Sequence, residues 1–405
     1  MKILLINSYH YRKGGADAVY FNTARLLEKH GHEVFFFSTT HPDNEPYGSD
    51  NYFAIGLDYR KLSFGNKVLA VPTFLYNRNA HDNLLRLIDN IKPDVAHIHL
   101  FMGGLSSSIL AALKKRKVPV IHSVHDYRLI CPAYLFIDGK NKVCEKCKDG
   151  IYLHCIANKC SENGFAQSSI LAMDAYFRKY KLKPIDYIDR FIFVSNFNRW
   201  KHIEFDTKFE FKADTLYNFN PDIDNFPASE NKGNYFLFFG RISREKGIIT
   251  LIEASFKSGF RLKIAGTGPM YEQLKVKHYE NIEFLGYKSG DELRKLIRDA
   301  SFVIVPSEWY ENNPLSIIEA YSFGKPVIGA RIGGIPEIIE EKITGYLFDP
   351  GNTDDLEQKL QQANGLSEDE YIKMSGNARL FAEKNFNPDE YYKSLIKIYQ
   401  DVLNT

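Results

Sequence analysis

One rhythm runs through the chain twice: a short apolar run rich in β-branched residues, a turn, then a segment with apolar residues at helical spacing. In the first half the strand-like runs fall at 2–7, 33–38, 94–100, 119–125 and 190–195. In the second they fall at 235–239, 261–265, 282–285, 302–305 and 326–328. Helical patterns lie between them, at 17–30, 105–115 and 168–181, then at 248–255, 269–276, 291–299 and 315–323. Strands that alternate with helices build a parallel sheet covered on both faces. A chain of 405 residues exceeds one ordinary core, so two cores are expected. The fold expectation is α/β, with two doubly wound parallel-sheet domains facing a central cleft. The first spans 1–220 and the second 221–385. A C-terminal helix at 386–405 is expected to pack back on the first domain, and the polar stretch 218–234 holds the linker.

Charge separates the halves. Net charge is +2 overall, but residues 1–220 carry +8 and residues 221–405 carry −6. The basic half includes Lys114-Lys115-Arg116-Lys117 and the segment 178–183. Solvated helix faces explain each alone; together they point to an anionic membrane surface as a partner. No aromatic-basic motif or helix-turn-helix pattern accompanies them, so nucleic acid is not an expected partner. No apolar run reaches the roughly 20 residues of a membrane span. The apolar start, residues 3–6, runs straight into the polar segment 7–15, unlike a secretory signal. The expected location is cytoplasmic, peripheral at the inner face of the membrane.

Several turns at the carboxyl ends of strands carry chemistry. Gly14-Gly15 sits between the first strand and the first helix, where backbone can approach an anion; a plain tight turn is the alternative. Arg241 and Lys246 follow the strand at 235–239, just before a helix. Cations oppose the macrodipole there, a conflict that a bound diphosphate would relieve. Gly266-Thr-Gly268-Pro269 follows another strand as a permissive turn. The most informative stretch runs from Pro306 to Ala320. Glu311 falls in the loop, the segment Asn312-Asn313-Pro314-Leu315 offers helix-start N–H groups, and Glu319 lies about one turn inside the helix. A carboxylate such as Glu319 can accept both hydroxyls of a ribose. His125-Asp126 ends the strand at 119–125, where a histidine can bond a sugar hydroxyl or shuttle a proton. His97 and His99 sit in a strand expected to be mostly buried.

In this ordered set, nearly the whole chain resembles the glycosyltransferase family 4 enzymes, which are retaining nucleotide-sugar transferases with two Rossmann-like domains (the GT-B fold). The matching pieces are Gly14-Gly15, His125-Asp126, 240–247, 266–269, Glu311-x7-Glu319 and Gly324-Lys-Pro-Val-Ile328. The resemblance implies that Arg241 and Lys246 hold the donor diphosphate and that Glu319 binds the ribose. It implies that Glu311 and the 312–315 backbone contact the transferred sugar, with His125 touching it from the first domain. Many relatives have Gly-Phe-Gly after the first glutamate; here it is Asn312-Asn313-Pro314, which bears on donor-sugar identity. The implied partners are a nucleoside diphosphate sugar donor and a sugar or lipid-linked sugar acceptor, in surface polysaccharide or glycolipid assembly. No catalytic cofactor is expected, because two cations meet the leaving charge. An epimerase on the same architecture, a glycan phosphorylase and a non-catalytic binding subunit are the rivals.

All five cysteines lie between Cys131 and Cys160. Four of them, Cys144, Cys147, Cys155 and Cys160, occupy a polar insertion. The Cys-x2-Cys spacing suits a structural zinc, with an iron–sulfur cluster or unligated thiols as alternatives.

Overall fold

The computed structural model describes residues 1–48, 50–56, 64–161, 164–226, 228–229, 231–277 and 279–404. Positions 227 and 230 of the expected linker lie outside the described residues. The chain divides into two compact units, one of Met1–Leu216 with Tyr392–Thr405 and one of Tyr217–Tyr391.

The first unit holds a six-stranded parallel sheet of β1 (Lys2–Ile6), β2 (Glu33–Phe37), β3 (Val95–Ile98), β4 (Val120–Val124), β5 (Arg190–Phe193) and β6 (Ala213–Thr215). Its strand order is β2-β1-β3-β4-β5-β6. The second unit repeats the plan with β7 (Phe236–Phe239), β8 (Leu262–Ala265), β9 (Ile282–Gly286), β10 (Phe302–Val305), β11 (Val327–Ala330) and β12 (Gly345–Phe348). Its order is β12-β11-β10-β7-β8-β9, again all parallel. Order reverses between β1 and β3 in one sheet and between β7 and β10 in the other. Ligands of doubly wound sheets bind at such switch points, outside the strands' carboxyl ends.

The strands are short, and those inside each sheet are buried on both faces. β3, β10 and β11 have no residue that is not buried, as parallel sheets require. Two apolar clusters cover the second sheet. One gathers Ile248, Leu251 and Ile252 of helix Ile248–Ser258 with Leu356 and Leu360. The other gathers Ile317, Ile318 and Tyr321 of helix Leu315–Ser322 with Ala378 and Phe386.

Four details differ from the sequence reading. The division falls after Leu216, because Asn218 N–H donates to Asn313 Oδ1 (2.8 Å) and Asn220 N–H to Phe386 O (3.1 Å). These bonds also hold Phe386 in the second unit. The helix near Pro269 is Tyr271–Lys275, two residues beyond the proline. Helices Phe64–Leu75 and Arg78–Ile91 lie between β2 and β3, where no element was marked. β6 and β12 add an edge strand to each sheet; at three and four residues they are too short to show a period.

The C-terminal helix Pro388–Leu403 brings Tyr392 and Tyr399 into the first unit. Tyr392 stacks on His30 at 3.6 Å, and the Tyr399 hydroxyl lies 2.7 Å from Nδ1 of His97. Among the described residues no helix is long and apolar enough to cross a membrane.

Candidate active site

At the switch point of the second sheet, the loops after β7 and β10 meet. Lys246 closes a 3₁₀ turn, Arg244–Lys246, ahead of helix Ile248–Ser258. Its Nζ lies 2.5 Å from Glu311 Oε1 and 5.2 Å from the centre of the Trp309 ring. The same Oε1 accepts from Ser307 Oγ (2.6 Å) and Trp309 Nε1 (2.9 Å). Glu311 is buried, and three donors on one carboxylate oxygen fix its orientation. The close approach of the loops demands glycine. Gly247 has φ +69°, and a Cβ there would collide with the carbonyl of Pro306. Gly266 has φ +145°, and a Cβ would strike the Gly240 carbonyl.

Arg241 stands at the rim. Its guanidinium is 3.9 Å from Glu245 Oε1, which Ser243 Oγ also reaches at 2.6 Å. Gly268 lies under this turn, since Ile242 N–H donates to Thr267 O and Met270 N–H donates back to Ile242 O. Asn313 is anchored through Asn218, and its buried Nδ2 has no hydrogen-bond partner among the described residues. Buried Asn312 precedes it. Pro314 caps helix Leu315–Ser322, so the N–H groups of Leu315 and Ser316 lack intrahelical acceptors. Glu319 is half-buried on that helix and makes no hydrogen bond or ion pair among the described residues. Burial pushes its carboxyl up to about 7, with Arg294 pulling the other way. A carboxylate, a cation pair and helix-start N–H groups at one sheet edge have the chemistry to take a group that is both anionic and hydroxyl-bearing.

The first unit has its own cavity at its switch point. His125 follows β4, and its Nε2 lies 2.9 Å from Nδ1 of His99, the residue after β3, with the rings stacked. Both line a small cavity with Ser8, Tyr9, Asp126 and Arg128. Burial lowers the His125 imidazole to about 3 and holds His99 well below its usual value. Ser8, Tyr9 and Arg128 also line a larger, solvent-open space of about 1220 Å³ that reaches Lys13, Tyr134, Phe74 and Leu171. Arg128 donates to Met102 O at 2.7 Å and stacks on Tyr134, while its buried Nε lies 3.9 Å from Asp126 Oδ2, with no hydrogen-bond partner among the described residues. Gly14 is the extended cap of helix Gly15–Lys29. Asp17, in the first turn, accepts from Asn7 Nδ2 at 2.8 Å, and burial raises its carboxyl.

Of the expected donor residues, Lys246 and Glu311 meet in the second unit, with Arg241 on the loop of Lys246 and Asn312–Leu315 and Glu319 following Glu311 in the chain; in the first unit His125 follows β4, while Gly14 and Gly15 open the first helix. Sequence reasoning missed Ser307 and Trp309, although both sit within four residues of Glu311. It also missed His99 as the partner of His125, and Arg128 and Lys13.

Among the described residues, no group of three or more metal-ligating side chains is placed to hold a metal ion. Cys155 Sγ donates to Ser168 O at 3.9 Å, and its interaction with the Cys160 thiol lowers Cys160 and raises Cys155. Cys144 Sγ accepts from Asn158 Nδ2 at 3.8 Å. Burial pushes Cys131 and Cys147 up to about 12.

Two family models match the chain in succession: Glycosyltransferase Family 4 over residues 13–210, and Glycosyl transferases group 1 over residues 220–381. A relative from Klebsiella pneumoniae, an uncharacterized 42.6 kDa protein in the cps region, is 25% identical over 92% of this chain and 99% of its own. An uncharacterized glycosyltransferase of Methanocaldococcus jannaschii is 32% identical over 43% of this chain, a match that spans half of that protein. Among solved structures, sucrose-phosphate synthase from Thermosynechococcus elongatus shares the fold at a TM-score of 0.70, with 17% identity over 100% of this chain and 99% of that one. Anabaena HepE in complex with UDP-glucose does so at 0.64, with 16% identity over 99% of this chain and 100% of that one.

Proposed function

Because the chain belongs to glycosyltransferase family 4, we propose that it moves a hexose-type sugar from a nucleoside diphosphate to an acceptor hydroxyl, with anomeric configuration retained. The observation that carries this reading is the Lys246–Glu311 pair at the β7/β10 switch point, with Glu319 unpaired on the next helix. The ammonium of Lys246 has three N–H donors, and Glu311 takes one. The others, with Arg241 and the N–H groups at 315–316, meet the charge that develops on the departing diphosphate. This is electrostatic stabilisation by preorganised donors, and it asks for no divalent ion. Glu319 receives the ribose hydroxyls, and Glu311 and the 312–315 backbone face the sugar; in the first unit, His125 is the residue suited to bond a hydroxyl. The departing phosphate takes the acceptor proton.

The first unit supplies the acceptor. Lys13 and Arg128 on the wall of the large cavity suit an acceptor with an anionic group, and Phe74 and Leu171 suit an apolar one. A lipid-linked sugar combines both. Relatives named for colanic acid biosynthesis in Escherichia coli (28% identical over 40% of this chain and 44% of that protein) and amylovoran biosynthesis in Erwinia amylovora (27% over 40% and 44%) support a place in polysaccharide assembly.

The test is a panel of nucleotide sugars incubated with and without candidate acceptors, the products read by NMR. Transfer with retained configuration supports the reading. Conversion of donor alone into an epimer replaces it with the epimerase reading.

A further inference from the structure

Helix Gly164–Tyr180 is built the wrong way round for a solvated surface helix. Its inward side carries its charge: Asp174 and Arg178 are both buried and pair at 2.9 Å. Ile170 on that side packs against Phe74, and Gln167 and Leu171 line the large cavity. The outward side is apolar. At 3.6 residues per turn, positions 165, 169, 173, 176 and 180 fall within an arc of about 80°. Phe165, Met173 and Tyr180 on this arc are 61%, 44% and 64% exposed. Ser169 and Tyr176, between them, are partly exposed. The helix has only one further charge, Lys179, and it flanks the arc.

The cysteine insertion extends this surface. Tyr152 packs on Tyr176 at 5.0 Å, and Tyr176 stacks on Tyr180. Ile151 and Leu153, on either side of Tyr152, are 47% and 60% exposed. Lys179 bonds Gly150 O and lies near the Tyr152 and Tyr180 rings. Lys181 and Lys183 follow the helix, and Lys146 lies in the insertion, all exposed. Asp149 is the exposed opposing charge on this part of the insertion. The other basic segment is already engaged: Arg116 pairs with Asp89 and Lys114 lies over the Tyr187 ring.

We propose that the outward arc of helix Gly164–Tyr180, with Ile151 and Leu153 and the lysines around them, seats the protein on an anionic bilayer. Phenylalanine and methionine enter the acyl boundary, tyrosines lie at the headgroups, and lysines meet the lipid phosphates. The charge around the arc selects this occupant: a second copy of the same face would set lysines against lysines. The opposite side of the same helix walls the cavity that holds Phe74, Leu171, Lys13 and Arg128, so docking brings that cavity to the lipid. The inference does not depend on sugar transfer.

The experiment is sedimentation with vesicles of phosphatidylcholine alone and of phosphatidylcholine with phosphatidylglycerol, alongside light scattering without lipid. Wild-type protein binds the anionic vesicles, and binding falls as salt rises. Phe165→Ser/Met173→Ser/Tyr180→Ser removes binding, and Lys181→Ser/Lys183→Ser weakens it by roughly thirtyfold. All five side chains are exposed, so thermal unfolding stays that of the wild type. Failure to bind anionic vesicles at low salt overturns the proposal, as does a wild-type dimer that the triple variant dissolves. Nucleotide-sugar binding in the same preparation reports separately on the glycosyltransferase reading.

Discussion

Lys246 Nζ and Glu311 Oε1 stand 2.5 Å apart, on two loops that sequence separates by 65 residues and the β7/β10 switch point joins. Each fixes the other. Glu311 is also held by Ser307 and Trp309, so the pair is a positioned charge rather than a loose surface bridge.

Lys246→Ala is therefore expected to lower kcat/KM by about two orders of magnitude, the usual cost of a lost preorganised charge contact. Glu311 keeps two donors in that variant, so unfolding temperature should fall by only a few degrees. Steady-state kinetics with calorimetry checks both; wild-type kinetics would remove Lys246 from the site.

Glu319 sets a pH dependence. Its carboxyl ionises near 7 when folded and near its ordinary value of 4.5 when unfolded. The stability it contributes is present below pH 4.5 and is lost as pH rises through 7. Glu319→Gln should flatten that slope by roughly 2 kcal/mol, discounted for its half-exposed side chain. Ribose hydroxyls need the carboxylate, so donor affinity of the wild type should rise through pH 7 while that of the variant stays flat. Titration calorimetry at pH 6, 7 and 8 is the check.

The period of the sequence shows the two sheets because parallel strands and covering helices have different, local signatures. Strand order is not local. Nothing in residues 236–239 or 302–305 says that β7 lies beside β10, so Lys246 and Glu311 could be named separately but not as a pair. His99 was obscured for a similar reason: it looked like a buried strand residue, and only the β3/β4 pairing brings it to His125. Arg178 failed in the opposite sense, since its basic neighbours made it look like surface when it pairs with Asp174 inside the unit.

The buried histidines make the first unit sensitive to acid. Burial holds His97 and His125 to about 3 and His122 to about 4. Depressed imidazoles stabilise the fold above pH 6.5, and that contribution is lost as pH falls from 6.5 toward 4. The urea midpoint should drop steeply over this window, and His97→Gln should make the drop shallower. A flat profile would mean that these histidines titrate freely.

One thiol should outpace the others. Interaction with the Cys155 thiol lowers Cys160, which lines the large cavity, so alkylation at pH 7.5 should mark Cys160 first. Cys155→Ala should slow that step. One zinc per chain by metal analysis, with all four insertion thiols protected, would restore the tetrahedral cage instead.

The central claim is a nucleoside diphosphate sugar on Arg241, Lys246 and Glu319, and thermal protection by a panel of such donors tests it most directly. At least one donor should raise the unfolding temperature of the wild type, and the same donor should give little or no shift with Arg241→Ala, Lys246→Ala or Glu319→Ala. Equal protection of all three variants and the wild type would contradict the account.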